Sequence, residues 1–368
     1  MGLPVPTPSQ PFAICNHALR AGGGIERYAL TLVRGLHTRG IRTTFIAKSF
    51  DPDLPEYTWV DPVRLSVTGV PGKLRDRWFD WKLSRLKRRS RWFPLVACNQ
   101  TAAADLAICG SNHPAYLAAM GQTPKLSDRW KTTLEAAQVH NARLVVAHSR
   151  GLMQQLAQHH GVAADKMRLL YPPVDGEDFS PVDEARRTRL RESLGLPAGR
   201  AVFLLASTGH LRKGLDLLLE VFARTALPAS LVVAGRPIPQ TGPNVRWLGY
   251  RNDMADVYRA VDCTVLASRY EPFGLVGVES VLCGTPVIVA GNVGCAEVLR
   301  PTARLRFELG TPGSLEQALE SAVERWRAGS LRLAVPREHL AYDPSVDVHL
   351  EALLGWIGEL QQTRSRGD

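Results

Sequence analysis

No stretch of the 368 residues comes near the roughly 20 consecutive apolar positions that cross a bilayer, so a membrane-spanning helix is not expected. Cysteine is scarce. The six (Cys15, Cys98, Cys109, Cys263, Cys283 and Cys295) are scattered and include no Cys-x-x-Cys pair. That spacing excludes a zinc ribbon or a disulfide scaffold and predicts reduced core thiols. The opening Met1–Pro8 has neither a basic n-region nor an apolar h-region, and Gly2 lacks the Ser or Thr at position 6 that myristoylation requires. Neither a signal peptide nor a lipid anchor is expected there. Internal repeats and low-complexity tracts are absent. Histidines 113, 140, 148, 159 and 160 lack metal-ligand spacing with the cysteines. Asp51-Pro52-Asp53 has an Asp-x-Asp form but sits in a proline-bearing loop and reads as a turn. No metal site is expected.

What remains is the pattern of an α/β protein too long for one typical core, so two domains are expected. Phe12–Cys15 reads as a strand, Ala21–Gly24 as a loop, and Ile25, Tyr28, Ala29, Leu32, Val33 and Leu36 as one face of a helix ending at Gly40. Extended runs follow at 43–48, 106–109 and 144–147, then again at 202–206, 231–234 and 263–268. Tyr171-Pro172-Pro173 forbids helix and marks the boundary, giving domains at 1–174 and 175–345, with a helix at about 346–368 able to pack back on the first. Two doubly wound Rossmann-like halves facing a central cleft are the simplest architecture.

The most informative stretch is Arg269-Tyr270-Glu271-Pro272-Phe273-Gly274-Leu275-Val276-Gly277-Val278-Glu279. It follows a buried strand and turns into a helix, placing one carboxylate on the loop and the other inside the helix. In open α/β sheets, loops at the carboxyl ends of the strands bind ligands. The first-turn amides of Gly274, Leu275 and Val276 are free to meet a phosphate, and Gly274 lets a ligand approach the backbone closely.

Glu-Pro-Phe-Gly-x4-Glu resembles the E-x7-E signature of the family-4 glycosyltransferases, retaining enzymes of the GT-B fold that use nucleotide sugars. The resemblance implies that Glu271 contacts the donor sugar and Glu279 holds the ribose. Val245–Asp253, with Tyr250 and Arg251, is similar to the family's base-pocket segment, and Phe273 belongs to the same donor stretch. Gly294-Cys295-Ala296-Glu297-Val298 is similar to its Gly-x-Ala-Glu-Val turn. Gly22-Gly23-Gly24 matches its first-strand loop, with Gly23 and Gly24 near the donor. Thr208-Gly209-His210-Leu211-Arg212-Lys213-Gly214 matches the loop whose Arg and Lys grip the diphosphate.

The chemistry agrees with that assignment. A departing nucleoside diphosphate gains negative charge, and without a metal it must be stabilised by fixed cations and helix amides. On the acceptor side, Asp105 and His113 flank the strand at 106–109 and are the candidates for contacting the acceptor hydroxyl. No cofactor is expected beyond a nucleotide-sugar substrate, UDP-linked by resemblance.

Basic residues outnumber acidic ones by 45 to 35. The excess concentrates at Lys73–Arg91, where nine cations face Asp76 and Asp80 with aromatics interleaved as far as Phe93. Residues 73–93 therefore suit an anionic membrane surface, and nucleic acid is not an expected partner because no reading motif accompanies the charge. Similar enzymes build lipopolysaccharide core, so a lipid-linked saccharide acceptor and a cytoplasmic protein peripheral to the inner membrane face are expected. A GT-B nucleotide-sugar epimerase or hydrolase, and a non-catalytic basic nucleic-acid-binding protein, stand as alternatives.

Overall fold

The computed structural model describes residues 10–239 and 242–367; the expectations about Met1–Pro8 lie outside them. The chain divides into two compact units, Met1–Pro173 with Pro344–Asp368, and Val174–Asp343. In the first, seven parallel strands run β1 (Ala13–Cys15), β2 (Thr44–Ala47), β3 (Asp61–Arg64), β4 (Leu95–Ala97), β5 (Leu106–Cys109), β6 (Leu144–Ala147) and β7 (Met167–Leu169). Their order in the sheet is β3-β2-β1-β4-β5-β6-β7. The second unit repeats the scheme with β8 (Ala201–Ser207), β9 (Ala229–Gly235), β10 (Val245–Gly249), β11 (Cys263–Leu266), β12 (Val287–Ala290) and β13 (Arg304–Phe307), ordered β10-β9-β8-β11-β12-β13. In each sheet the order reverses beside the first strand, so each has a switch point where the loops diverge.

Burial on both faces explains the apolar runs. Every residue of β9, β11 and β12 is buried, as a parallel sheet covered by helices requires. The edge strand β3 is different: Asp61-Pro62-Val63-Arg64 is mostly exposed, and its proline is tolerated because it lies at the edge. Helix Gly24–Thr38 buries Tyr28, Ala29, Leu32, Val33 and Leu36, whereas Ile25 is exposed. The chain leaves this helix through Gly40, at φ 68°.

The last helix, Val346–Gly367, shares the first unit's core through Leu350, Leu353, Leu354, Ile357 and Leu360. It meets helix Gly24–Thr38 at Gly35, where a Cβ would stand 2.4 Å from Leu350. All six cysteines are buried and free. No helix among the described residues is long and apolar enough to cross a membrane.

Candidate active site

The second unit's switch point lies between β8 and β11, and the loops leaving these two strands carry the charged groups. After β8, a short helix His210–Lys213 ends at Gly214, whose φ of 72° places it against the carboxyl end of β11. A Cβ at Gly214 would fall 2.1 Å from the Ala267 carbonyl oxygen. This close approach brings Arg212 and Lys213 to the loop after β11. Arg212 donates from Nη1 to Glu271 Oε2 at 2.8 Å and to the Tyr270 carbonyl at 3.0 Å. Lys213 Nζ donates to the same carboxylate oxygen. Glu271 is only 15% exposed. Burial alone would raise its pKa, but the ammonium of Lys213 and the guanidinium of Arg212 override that and hold it below the usual carboxylate range.

Neighbouring bonds lock the loop. Arg269 donates its backbone N–H to the Arg212 carbonyl at 2.8 Å and clamps Asp216 with two side-chain bonds of 2.8 and 2.6 Å. Asn292 Nδ2 donates to the carbonyls of Ser268 and Arg269. Sequence reading had not singled out Arg269 or Asn292 for this role. The signal for Arg269 was its place two residues before Glu271, with a matching acid in the Lys213-Gly214-Leu215-Asp216 turn.

Gly274, at φ 91°, begins helix Leu275–Leu282, so the backbone amides of Leu275 and Val276 belong to its first turn. Inside that helix Glu279 is 3% exposed and accepts the Tyr258 hydroxyl at 3.0 Å. Phe273 is buried and meets the Tyr342 ring edge-on at 6.3 Å. Gly209 precedes the cationic helix. On the β10 side, Trp247 donates its indole N–H to the Gly235 carbonyl, Tyr250 is 69% exposed, and Arg251 is forked onto Asp253.

In the first unit, Gly23 and Gly24 form the exposed start of helix Gly24–Thr38, with the Glu26 side chain folded back beneath Gly22 and Gly23. Asp105 flanks β5 as expected but does not join the residues at the carboxyl ends of the strands. It precedes β5, at the amino end of the strand, and its carboxylate accepts the Leu95 N–H at 2.9 Å and the Lys87 ammonium at 2.7 Å. This is a structural carboxylate at the end of the sheet opposite the binding loops. His113 starts the helix after β5, and its ring Nε2 is engaged by Asp128 at 3.1 Å. Its backbone N–H reaches Glu135, which sequence reading had not singled out. The buried face of helix Leu126–Asn141 carries Glu135 and Gln138 beside Val139, and two polar residues on an inward face were the available signal. Among the described residues, no group of three or more His, Cys, Asp or Glu side chains is arranged to hold a metal ion.

Against this geometry, two family models match in succession: Glycosyltransferase Family 4 over residues 22–178 and Glycosyl transferases group 1 over residues 186–332. A Burkholderia thailandensis protein named "Probable transglycosylase" is 46% identical over 357 residues, covering 96% of this chain and 98% of that one. The chain belongs to the family-4 glycosyltransferases. A D-inositol 3-phosphate glycosyltransferase of Xylanimonas cellulosilytica is 34% identical over 42% of each chain. The sucrose-phosphate synthase of Thermosynechococcus elongatus superposes with a TM-score of 0.74 at 20% identity, covering 98% of this chain and all of that one. WaaG, a glycosyltransferase involved in lipopolysaccharide biosynthesis, gives 0.71 at 18% identity, covering 89% and 98%. Anabaena HepE, solved with UDP and glucose, gives 0.73 at 17%, covering 95% of this chain and all of that one. The fold of the glycosyltransferase is therefore GT-B, two Rossmann-like α/β domains.

Proposed function

We propose that the enzyme moves a sugar from a UDP-sugar to a saccharide acceptor with retention of anomeric configuration and without a metal. The carrying observation is Glu271, a half-buried carboxylate held between Arg212 and Lys213 at the switch point of the second sheet. Two cations fixed on one short helix are positioned to receive a diphosphate whose charge grows as the glycosidic bond breaks. Their present partner, Glu271, then turns to the sugar hydroxyls. The first-turn amides after Gly274 supply further donors to the phosphates. Glu279, buried in the same helix with Tyr258 as its partner, holds the ribose hydroxyls, and Tyr250 and Arg251 border the base. Retention at the same face lets the leaving phosphate take the acceptor proton, so no strong protein base is required. HepE, a structural neighbour, has been solved with UDP and glucose, which supports the choice of donor.

The acceptor is a lipid-linked saccharide, of the kind met in lipopolysaccharide core, presented at an anionic membrane. Helix Arg75–Lys87 supports this. Trp78 and Trp81 are 41% and 48% exposed and stack at 5.0 Å, with Arg85 over Trp81 at 5.0 Å. Lys73, Arg75, Arg77, Arg88 and Arg89 are exposed around them. Exposed tryptophans ringed by cations suit the headgroup layer. WaaG, which shares the fold, is described as involved in lipopolysaccharide biosynthesis.

The test is turnover of a nucleotide-sugar panel by the purified protein in EDTA, with the product's anomeric configuration read by NMR. Release of UDP with a retained linkage is expected. Inversion, or activity lost in EDTA and restored by manganese or magnesium, contradicts the mechanism.

A further inference from the structure

The first sheet has its own switch point, between β1 and β4, and a pocket of about 190 Å³ lies at the carboxyl ends of β1, β4 and β5. His17, Asn99, Gln100, Ser111, Glu135 and Gln138 supply its polar lining, and none of them belongs to the donor site. Two of these residues are incomplete. Asn99 is 3% exposed and its Oδ1 has no hydrogen-bond partner, while His17 has a buried, unpartnered Nδ1. Buried polar atoms without partners are rare in folded proteins and mark places where a ligand or water completes the bonding.

The remaining polar groups are fixed in place. Gln138 donates to the Asn99 backbone carbonyl at 3.0 Å, holding the loop after β4. Glu135 is held by His160 Nε2 at 2.9 Å and by the His113 N–H at 2.9 Å.

The chemistry of the walls selects the ligand. An amide oxygen and a carboxylate both accept hydrogen bonds, so the pocket calls for hydroxyl donors. Burial, then the nearby Lys48 ammonium, lowers the His17 pKa to about 4, so its ring is neutral at physiological pH. Lys48 itself is bonded to Asp76. Among the described residues, no lysine or arginine lines the pocket. A phosphate there would meet Glu135 and no compensating cation.

We infer that this pocket seats an uncharged, hydroxyl-bearing edge of a sugar ring, with Asn99 as the selecting residue, and that it excludes phosphorylated rings. Under the glycosyltransferase reading, on which its role as part of the acceptor site rests, the enzyme accepts a neutral sugar residue. The pocket is small enough that one ring edge fills it. Ser111, which follows β5, and neutral His17 add bonds that work in either direction, as sugar hydroxyls do.

The test is binding of glucose, galactose and mannose, and of their 6-phosphates, to the full chain without nucleotide, followed by ligand-observed NMR. At least one neutral sugar should bind, its 6-phosphate should bind more weakly, and Asn99→Ala should weaken the neutral sugar roughly five- to ten-fold, as loss of one hydrogen bond implies. UDP affinity should be the same in Asn99→Ala and wild type, which also shows that the variant is folded. No binding by any of the six, tighter binding of a phosphorylated sugar, or an undiminished sugar affinity in Asn99→Ala overturns the inference. The phosphate comparison uses wild-type protein and stands even if the variant does not fold. Failure of UDP to bind wild-type protein would instead overturn the donor-site reading, and the two failures are read from separate titrations.

Discussion

Gly294 lies so close to Pro272 that a Cβ built on it would stand 1.9 Å from the Pro272 carbonyl oxygen. Its N–H donates to the Glu271 carbonyl at 3.1 Å, and that of Cys295 to the Phe273 carbonyl at 2.6 Å. The turn after β12 therefore props the loop that aims Glu271. Gly294→Ala must push the two segments apart. Transfer should fall at least about ten-fold with a loss of stability of roughly 1–3 kcal/mol, the usual cost of overpacking. Steady-state kinetics and thermal unfolding check both, and an unaffected kcat would show that the prop does not set the loop.

The two glutamates should separate in function. Glu271→Gln should lower turnover far more than it weakens UDP, because the carboxylate is assigned to the sugar. Glu279→Gln should weaken UDP itself by about 1–3 kcal/mol, the range for charged hydrogen bonds. Calorimetric UDP titrations beside kinetics of both variants check this, and equal losses of UDP affinity would contradict the division of roles.

Acid should destabilise the first unit through buried histidines. Burial lowers His148 to about 4 and His349 to about 3, both from an ordinary 6.5. His349 bridges the Tyr28 hydroxyl at 2.9 Å and the Tyr171 carbonyl at 3.0 Å, tying the last helix to the first. Because the folded values are depressed, the unfolded chain takes up protons first. The stabilisation from neutral burial is complete above pH 6.5 and declines as pH falls towards the folded values. Each group adds a slope of at most about 1.4 kcal/mol per pH unit. Chemical denaturation between pH 7 and 4.5 should show this decline, and His349→Gln should flatten it. An equally steep variant would locate the acid sensitivity elsewhere.

Membrane docking should depend on the exposed face of helix Arg75–Lys87. Lys87 is better left intact, since it bonds Asp105 and the Ala103 carbonyl. Charge reversal at Arg85, Arg88 and Arg89, together with Trp78→Ser and Trp81→Ser, should release the protein from anionic vesicles. Turnover of a soluble acceptor should survive. Retention on vesicles at low salt, where electrostatic range is longest, would mean that this face is ordinary solvated surface.

Much of this organisation was legible in the residues. The apolar runs of β8, β9 and β11 marked the second sheet, and Gly40 marked a helix end that does carry a positive φ. Strand β3 was hidden because an edge strand need not be apolar, and Asp61-Pro62-Val63-Arg64 reads as loop. Asp105 was chosen through its nearness to β5 in sequence. In a parallel sheet the residue before a strand lies at the end opposite the ligand loops, so the residues after β5 were the stronger candidates. Glu135 could not be placed without the fold, because its partner His160 comes from a different helix. The Glu271 cluster likewise depends on Gly214 packing against Ala267, a contact between loops more than fifty residues apart in sequence.

The central claim is that Arg212 and Lys213 hold the donor diphosphate at the Glu271 loop, and titration of UDP into wild type, Arg212→Ala and Lys213→Ala by calorimetry tests it most directly. Wild type should bind UDP without added metal, and each variant should bind at least about ten-fold more weakly while unfolding at a similar temperature. Wild-type protein that binds no UDP, or folded variants that bind it as tightly as wild type, would contradict the account.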